Sequence, residues 1–233
     1  MKKCGRAREY NENLAGDPVH DPFVVGSGYA LPTNYTSVLN ISDDGVMASV
    51  EIPKIGVNLP IYHGTSEETL TKGVGHIQST SLPIGGKSTH SVLTGHTGLP
   101  SAELFTKLDL LKENDIFYIH VLDEILTYKV YEIKVILPDE IDELRVVNDD
   151  DLLTLVTCTP YGINSHRLLV KARRTEYEEY VPSNDNQSQY TLAETVKHNY
   201  FVIGLIIGGI ILLMIFIVVI IIKRKNSKKS SET

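Results

Sequence analysis

Short runs rich in β-branched and aromatic residues recur from Val46 onward, and each run ends at a cluster of turn residues. The breaks include Asn114-Asp115, Pro138-Asp139 and Pro160-Tyr161-Gly162. Many short strands with few helices between them are typical of a closed or partly closed barrel. The sequence therefore predicts a mainly β domain over residues 46–180. Its predicted strands are Val46–Ile52, Ser91–Thr94, Ile116–Leu122, Ile125–Leu137, Leu152–Cys158 and Arg167–Arg173.

Two helices are predicted beside these strands. One covers Arg6 to Ala15, within an N-terminal segment 1–16 that ends at Gly16-Asp17-Pro18. The other is amphipathic, with Leu104, Leu108 and Leu111 at helical spacing after Pro100-Ser101. Between the first helix and the first strand, residues 17–45 are rich in Pro, Gly and Asp and predict an irregular arm.

The C-terminal part of the chain predicts a membrane anchor. Phe201 to Ile222 contains only Phe, Val, Ile, Gly, Leu and Met. At ~1.5 Å per residue, such a helix is long enough for a hydrocarbon core of about 30 Å. The tail 223–233 is rich in lysine and arginine, which predicts that the tail is cytoplasmic and that the β domain is outside the cell. Residues 181–200 are then a linker to the transmembrane helix 201–222.

The start of the chain does not match this topology. Met1-Lys-Lys-Cys-Gly-Arg has no apolar run of the kind found in export signals. We therefore expect an export signal or a first membrane helix to be encoded upstream of Met1.

Net charge and cysteine content bear on the possible partners and on the state of the thiols. The net charge is −7, and the tail carries five bases and one acid (+4), which leaves −11 on residues 1–222. An acidic exterior disfavours nucleic acid as a partner. Cys4 and Cys158 are the only cysteines, so Cys158 is expected to be a free thiol. Asp149-Asp150-Asp151 is interpreted as a solvated turn and not as a metal site, because no loop with calcium-ligand spacing surrounds it. No metal and no cofactor are expected.

Cys158 is the candidate nucleophile. In a strand over Leu152–Cys158, alternation places Thr154, Val156 and Cys158 on one face, and the following turn places Arg167 beside Cys158. His166 and Arg167 face opposite ways in an extended segment, so only one of them can face the thiol. A permanent cation suits a developing oxyanion, which favours Arg167. On spacing alone, a buried core thiol is an equally good interpretation.

His96 is the candidate base among eight histidines. It lies in Gly95-His96-Thr97-Gly98, where a predicted strand ends in a glycine-flanked loop. Loops held by a rigid barrel are frequent positions for catalytic groups. The other histidines, apart from His166, are interpreted as surface or structural residues: His20, His63, His76, His90, His120 and His198.

Thr154-Leu-Val-Thr-Cys158 matches the T-L-x-T-C signature of the sortase family. Three further segments, Ile52–Gly64, Gly95–Leu108 and Cys158–Val170, resemble class C of this family, whose members polymerise pilins. The resemblance covers about Arg6 to Tyr177. It implies a sortase-type closed β-barrel of about eight strands. It also implies an N-terminal lid, to which Asp21-Pro22-Phe23 corresponds, with Asp21 and Phe23 as its key positions.

The resemblance implies a cysteine transpeptidase on a Gram-positive cell surface. Cys158 would cleave a Leu-Pro-x-Thr-Gly-like sorting signal, and a lysine amine of the next pilin subunit would resolve the thioacyl-enzyme. His96 would transfer the protons and Arg167 would hold the oxyanion. Thr94 and Thr157 are candidate substrate-binding residues. The expected partners are pilin subunits and the membrane, and the protein is expected to be a monomer.

Two other functions stay open. A sortase can instead attach proteins to cell-wall peptide, and the lid motif and the C-terminal anchor favour pilin assembly over this. A membrane-anchored pilus-accessory module without activity is the alternative outside the enzyme class. Loss of Cys158, His96 or Arg167 would mark such a module, and all three are present.

Overall fold

A computed structural model describes residues 2–14, 34–41, 43–98 and 103–182. The chain divides into two compact units, Met1–Tyr180 and Val181–Thr233, and every element named below lies in the first. The described residues include two α-helices, α1 (Lys2–Asn13) and α2 (Glu67–Lys72). Four short 3-10 helices cover Tyr35–Ser37, Pro53–Ile55, Leu108–Leu110 and Ile141–Leu144.

Eight strands form the body of the unit. They are β1 (Val46–Ile52), β2 (Val57–His63), β3 (Val74–His76), β4 (Thr89–Thr94), β5 (Ile116–Val121), β6 (Glu124–Ile136), β7 (Asp151–Thr159) and β8 (His166–Thr175). They close into a barrel in the order β1-β2-β3-β4-β7-β8-β6-β5, with β5 pairing back onto β1. The predicted mainly β, closed barrel is confirmed. Each of these eight strands pairs with two neighbours, and closure of this kind is one way that sheets avoid edge-to-edge association.

The barrel wall is buried on both faces along β7 and β8. Leu153 and Leu155 belong to the main core cluster inside the barrel. Val156 and Leu169, which alternate with inward residues, belong to a second buried cluster on the outer face. The second cluster consists of Ile77, Val92, Ile136, Leu144, Val156 and Leu169. A strand covered on both faces keeps its side chains in fixed positions up to its end, where the candidate nucleophile lies.

Two strands were missed by the sequence prediction. Strand β2 contains Pro60, and β3 is only three residues long and contains Gly75. Both residues are depleted in strands, so neither segment shows a strand pattern. Strand β2 pairs with β1 and with β3. The pairing with neighbouring strands, rather than local propensity, makes these segments extended.

The prediction of an amphipathic helix through Leu104, Leu108 and Leu111 was wrong. Only the 3-10 helix Leu108–Leu110 forms there, preceded by turns. Leu104 has a φ of 28°, which interrupts any α-helix, and the Phe105 amide donates to the His96 carbonyl at 3.1 Å. The three leucines are nevertheless buried, because they cover the barrel.

The first helix was predicted over Arg6–Ala15 and is observed over Lys2–Asn13. Asp21, Phe23 and the segment 201–222 lie outside the described residues, so the lid and the transmembrane helix stay predictions. The end of the arm is described, and there Tyr35, Val38 and Leu39 are buried in the main core cluster. Within the part of the chain that the structure describes, no helix is long and apolar enough to cross a membrane.

Candidate active site

Cys158 lies near the end of β7, between β4 and β8. On one side, Cys158 is the direct partner of Arg167 in the antiparallel β7–β8 pairing. On the other side, β4 runs parallel to β7, with Thr94 opposite Val156. The pairing continues past the end of β4, because the Gly95 amide donates to the Val156 carbonyl at 3.2 Å. His96, the next residue, therefore follows at the level of Cys158.

Cys158 and Arg167 share the outer face of the barrel wall. Val156 and Leu169 belong to the outer cluster, and each lies two residues from a candidate, Cys158 or Arg167. Side chains two apart along a strand point the same way. His166 pairs with Thr159 instead, and its Nδ1 is 2.8 Å from the Ser165 hydroxyl. The structure thus places Arg167, not His166, across from the thiol.

Arg167 is held in place by the turn that precedes it. The residue is 7% exposed, and its Nη1 donates to the carbonyls of Asn164 and His166, both at 3.1 Å. A guanidinium that is already oriented needs no reorganisation when negative charge develops beside it. The geometry suits Arg167 to stabilise an oxyanion near Cys158.

His96 lies in a loop that is held by hydrogen bonds within the connection between β4 and β5. Its carbonyl accepts from the Phe105 amide, and the Gly98 amide donates to the Thr106 hydroxyl at 3.1 Å. Its side chain is 21% exposed, and Nε2 is 3.6 Å from the Glu67 carboxylate in the first turn of α2. Sequence reasoning missed Glu67, because no local motif connects α2 with the loop after β4.

Gly98 connects the His96 loop with the turn after β7. It has a φ of 76°, which favours glycine, and a Cβ built there would lie 2.8 Å from the Tyr161 ring. The ring can approach this closely only because Gly98 has no side chain. The two loops on either side of Cys158 therefore contact each other.

Thr94 and Thr157, the predicted substrate-binding residues, are buried in the wall. The Thr157 hydroxyl donates to the Gly95 carbonyl at 2.7 Å, and the Thr94 hydroxyl donates to the Val156 carbonyl at 3.3 Å. Thr157 thereby supports the residue before His96. Direct contact of either threonine with substrate stays a prediction.

The best-buried histidines have structural roles. Burial lowers the pKa of His76 to about 4, and its Nδ1 is 2.9 Å from the Tyr35 hydroxyl. Burial also lowers the pKa of His90 to about 4, and its Nε2 is 2.8 Å from the Thr154 hydroxyl. Both imidazoles are neutral near pH 7 and bonded within the wall, as their structural interpretation predicted.

The connection between β6 and β7 is pinned to the same outer face by Lys171. Its Nζ lies 2.8 Å from Glu132 and 2.9 Å from Glu143, and the side chain is 11% exposed. Hydrogen bonds from Lys134 and Lys171 hold the pKa of Glu143 at about 2. Lys171 is four residues from Arg167 on β8, so it fixes the wall next to the candidate site.

This arrangement suits acyl transfer by a thiol. Cys158 can attack a carbonyl carbon, Arg167 can stabilise the oxyanion, and a histidine at the level of the thiol can transfer protons. Among the described residues, no group of three His, Cys, Asp or Glu side chains could hold a metal ion.

Comparison with known proteins points to one family. The family model described as "Sortase domain" matches residues 50–175. The crystal structure of sortase C-1 from Actinomyces oris is 51% identical with a TM-score of 0.70, covering 76% of this chain and 97% of that one. Group B Streptococcus Pilus Island 1 sortase C2 is 48% identical with a TM-score of 0.68, covering 75% and 96%. Sortase A of Streptococcus agalactiae serotype III is 24% identical over 168 residues, 66% of this chain and 67% of that protein.

Proposed function

Because this chain belongs to the sortase family, whose members are cysteine transpeptidases, we propose that it joins pilin subunits through a thioacyl-enzyme. The single observation that carries the proposal is the placement of Cys158. The thiol is flanked by Arg167 in β8 and by the His96 loop that continues β4. The similarity to the Pilus Island 1 sortase C2 supports pilin subunits as the substrate class.

The first half of the proposed reaction cleaves the sorting signal. The Cys158 thiolate attacks the threonine carbonyl of a Leu-Pro-x-Thr-Gly-like signal, and Arg167 stabilises the resulting oxyanion. When the intermediate collapses, the bond from threonine to the glycine nitrogen breaks, and His96 donates a proton to the departing amine. A thioester between threonine and Cys158 is left.

The second half transfers the acyl group. A lysine amine of the next pilin subunit attacks the thioester, and His96 accepts the proton that this amine loses. The carbon–sulfur bond breaks, an isopeptide bond forms and the thiolate is regenerated. Imidazole and thiolate return to their starting protonation states, so the cycle needs no cofactor.

We propose further that the part of the arm with Asp21 and Phe23 is a lid and that the chain is anchored in the membrane. Asp21 can pair with Arg167, and Phe23 can cover an apolar groove. The segment 201–222 would hold the domain at the outer surface, where pilin subunits arrive. The Asp21-Pro22-Phe23 motif supports the lid, the apolar run 201–222 supports the anchor, and the basic tail 223–233 supports the orientation.

The test is to incubate the full chain with a sorting-signal peptide and to measure the protein mass. The expected result is a thioacyl adduct on Cys158, which Cys158→Ala abolishes and the matched control Cys4→Ala retains. Arg167→Lys should reduce the rate of adduct formation by at least about ten-fold, because an ammonium loses the forked donor geometry. If no adduct forms even after Asp21→Ala and Phe23→Ala, the enzyme proposal is wrong.

The acceptor decides between pilin assembly and wall attachment. Once the adduct has formed, a pilin with its acceptor lysine and a cell-wall peptide amine are offered together at equal concentration. Preferential isopeptide formation with the pilin supports the proposal. Preferential transfer to the wall peptide would assign the chain to wall attachment instead.

A further inference from the structure

A pocket lies on the opposite side of the barrel from Cys158. It has a volume of about 280 Å³ and opens between β1, β5 and the segment that follows β8. In the closed strand order, β5 is three strands from β7 through β8 and β6, and β1 is four strands away through β4, β3 and β2. The pocket is therefore separate from the proposed active site.

Strands β1 and β5 and the segment that directly follows β8 line this pocket. Glu51 of β1 pairs with Tyr118 of β5. Their neighbours Val50 and Ile119 point into the core, so Glu51 and Tyr118 point outward. The segment after β8 is tied across them, since the Tyr118 hydroxyl donates to the Glu178 carbonyl at 2.6 Å.

The pocket wall combines aromatic rings with carboxylates. Tyr118, Tyr177 and Tyr180 contribute rings, and the centroids of Tyr118 and Tyr177 are 6.0 Å apart. Glu51 and Glu179 contribute carboxylates. Among the described residues that line the pocket, none is a lysine or an arginine.

The surroundings of the pocket are electrically negative. Burial raises the pKa of Tyr118, and the nearby Tyr177, Glu51 and Glu179 raise it further. His120 Nε2 lies 2.7 Å from Glu51 Oε2 and holds that carboxylate in position. Residues 1–222 also carry a formal charge of −11, as counted above, so a basic partner is attracted over a longer range.

We propose that this pocket binds the side-chain ammonium of a lysine presented by a protein partner. Aromatic faces attract a cation, and a carboxylate attracts it through a charge-assisted hydrogen bond. A pocket that offers both groups binds a cation more strongly than either group alone. A primary ammonium carries three N–H donors, which the carboxylates and tyrosine hydroxyls can accept. A quaternary ammonium has no N–H donor, so it could make no hydrogen bond to either carboxylate, and Glu51 would keep only its contact with His120. The bound lysine is a docking contact and takes no part in bond formation at Cys158.

The test is calorimetric titration of the full chain with Nα-acetyl-lysine methylamide. Nα-acetyl-norleucine methylamide, which lacks the ammonium, serves as the control probe, and choline represents quaternary ammonium ligands. Two variants change exposed pocket residues, Tyr177→Leu and Glu179→Gln. The matched control is Glu176→Gln, which removes a carboxylate from the same segment but outside the pocket.

The lysine probe should bind, the norleucine probe should not, and choline should bind more weakly than lysine. Each pocket variant should weaken lysine binding by roughly two- to five-fold, the loss expected for one exposed cation contact. Glu176→Gln should leave binding unchanged. Binding of norleucine, tighter binding of choline, or equal lysine affinity in all three variants would overturn the proposal. Adduct formation at Cys158 with a short peptide should be unchanged in Tyr177→Leu, so failure here is separable from failure of the proposed function.

Discussion

Replacement of Lys171 by methionine tests whether its two ion pairs stabilise the barrel wall beside Arg167. Methionine retains most of the side-chain volume, so the substitution removes the charge without opening a large cavity. Lys171 Nζ is 2.8 Å from Glu132 and 2.9 Å from Glu143, whose side chains are 41% and 27% exposed. The more exposed pair with Glu132 is screened by solvent, so most of the effect comes from Glu143.

The expected loss is about 2 kcal/mol of unfolding free energy, the range for a hydrogen bond between charged groups with one partner largely buried. For a folded unit of this size, that corresponds to a melting temperature lower by about 4–8 °C. The measurement is thermal unfolding of the full chain, followed by circular dichroism near neutral pH. Lys72→Met is the matched control, because Lys72 forms a 2.6 Å pair with Glu68 on an exposed helix surface. We expect no measurable change in the control.

The pH dependence of this difference identifies its electrostatic origin. The pKa of Glu143 falls from an ordinary 4.5 to about 2 in the folded state, so its contribution is complete above about pH 5 and is lost as the pH falls towards 2. The pKa of Lys171 is raised, so its contribution is complete below 10.5 and is lost only at higher pH. The difference between wild type and Lys171→Met should therefore shrink between about pH 5 and pH 2. An equal difference at both ends of that range, or a melting temperature within about 1 °C of wild type near pH 7, would refute the reasoning.

Three further substitutions test how the site is supported. Thr157→Val removes the 2.7 Å hydrogen bond to the Gly95 carbonyl and should lower the free energy of unfolding by about 1 kcal/mol, measured by thermal melting. It should also slow adduct formation several-fold, measured by protein mass, and an unchanged rate would contradict the positioning role of Thr157. Gly95→Ala places a methyl group 2.9 Å from the Phe105 ring and should cost about 1–3 kcal/mol in denaturant unfolding, whereas wild-type stability would mean that the ring moves freely. Tyr35→Phe removes the hydroxyl that lies 2.9 Å from His76 Nδ1 and should cost about 1–3 kcal/mol, with a neutral result arguing against a buried network.

Much of the candidate site was accessible from sequence because it depends on strand alternation and on short motifs. The alternation along β7 places Cys158 on the face of Val156, and the short turn after β7 places Arg167 across from it. Both placements follow from a single hairpin of two strands and the turn between them. The choice of His96 needed more, because the parallel pairing of β4 with β7 joins segments about sixty residues apart. The family resemblance supplied that choice more firmly than the loop position did.

Glu67 and the Lys171–Glu143 pair could not be predicted in the same way. Glu67 begins a six-residue helix that shows no relation to His96 along the chain, and only the folded barrel brings the two within 3.6 Å. Glu143 precedes β7 along the chain, in the connection from β6, whereas Lys171 lies in β8. Their pairing depends on how the connection between β6 and β7 packs, which no local pattern encodes.

The sequence by itself determined the mainly β class, the candidate thiol and the cation across from it, because alternation and turn chemistry act over a few residues. Tertiary structure decided which segments of low strand propensity become strands and which histidines are buried as neutral structural groups. It also decided where aromatic and acidic side chains meet in the pocket beside β1 and β5. These outcomes depend on closure of the barrel. Closure brings β5 against β1 and β4 against β7, and only then do distant residues share one environment.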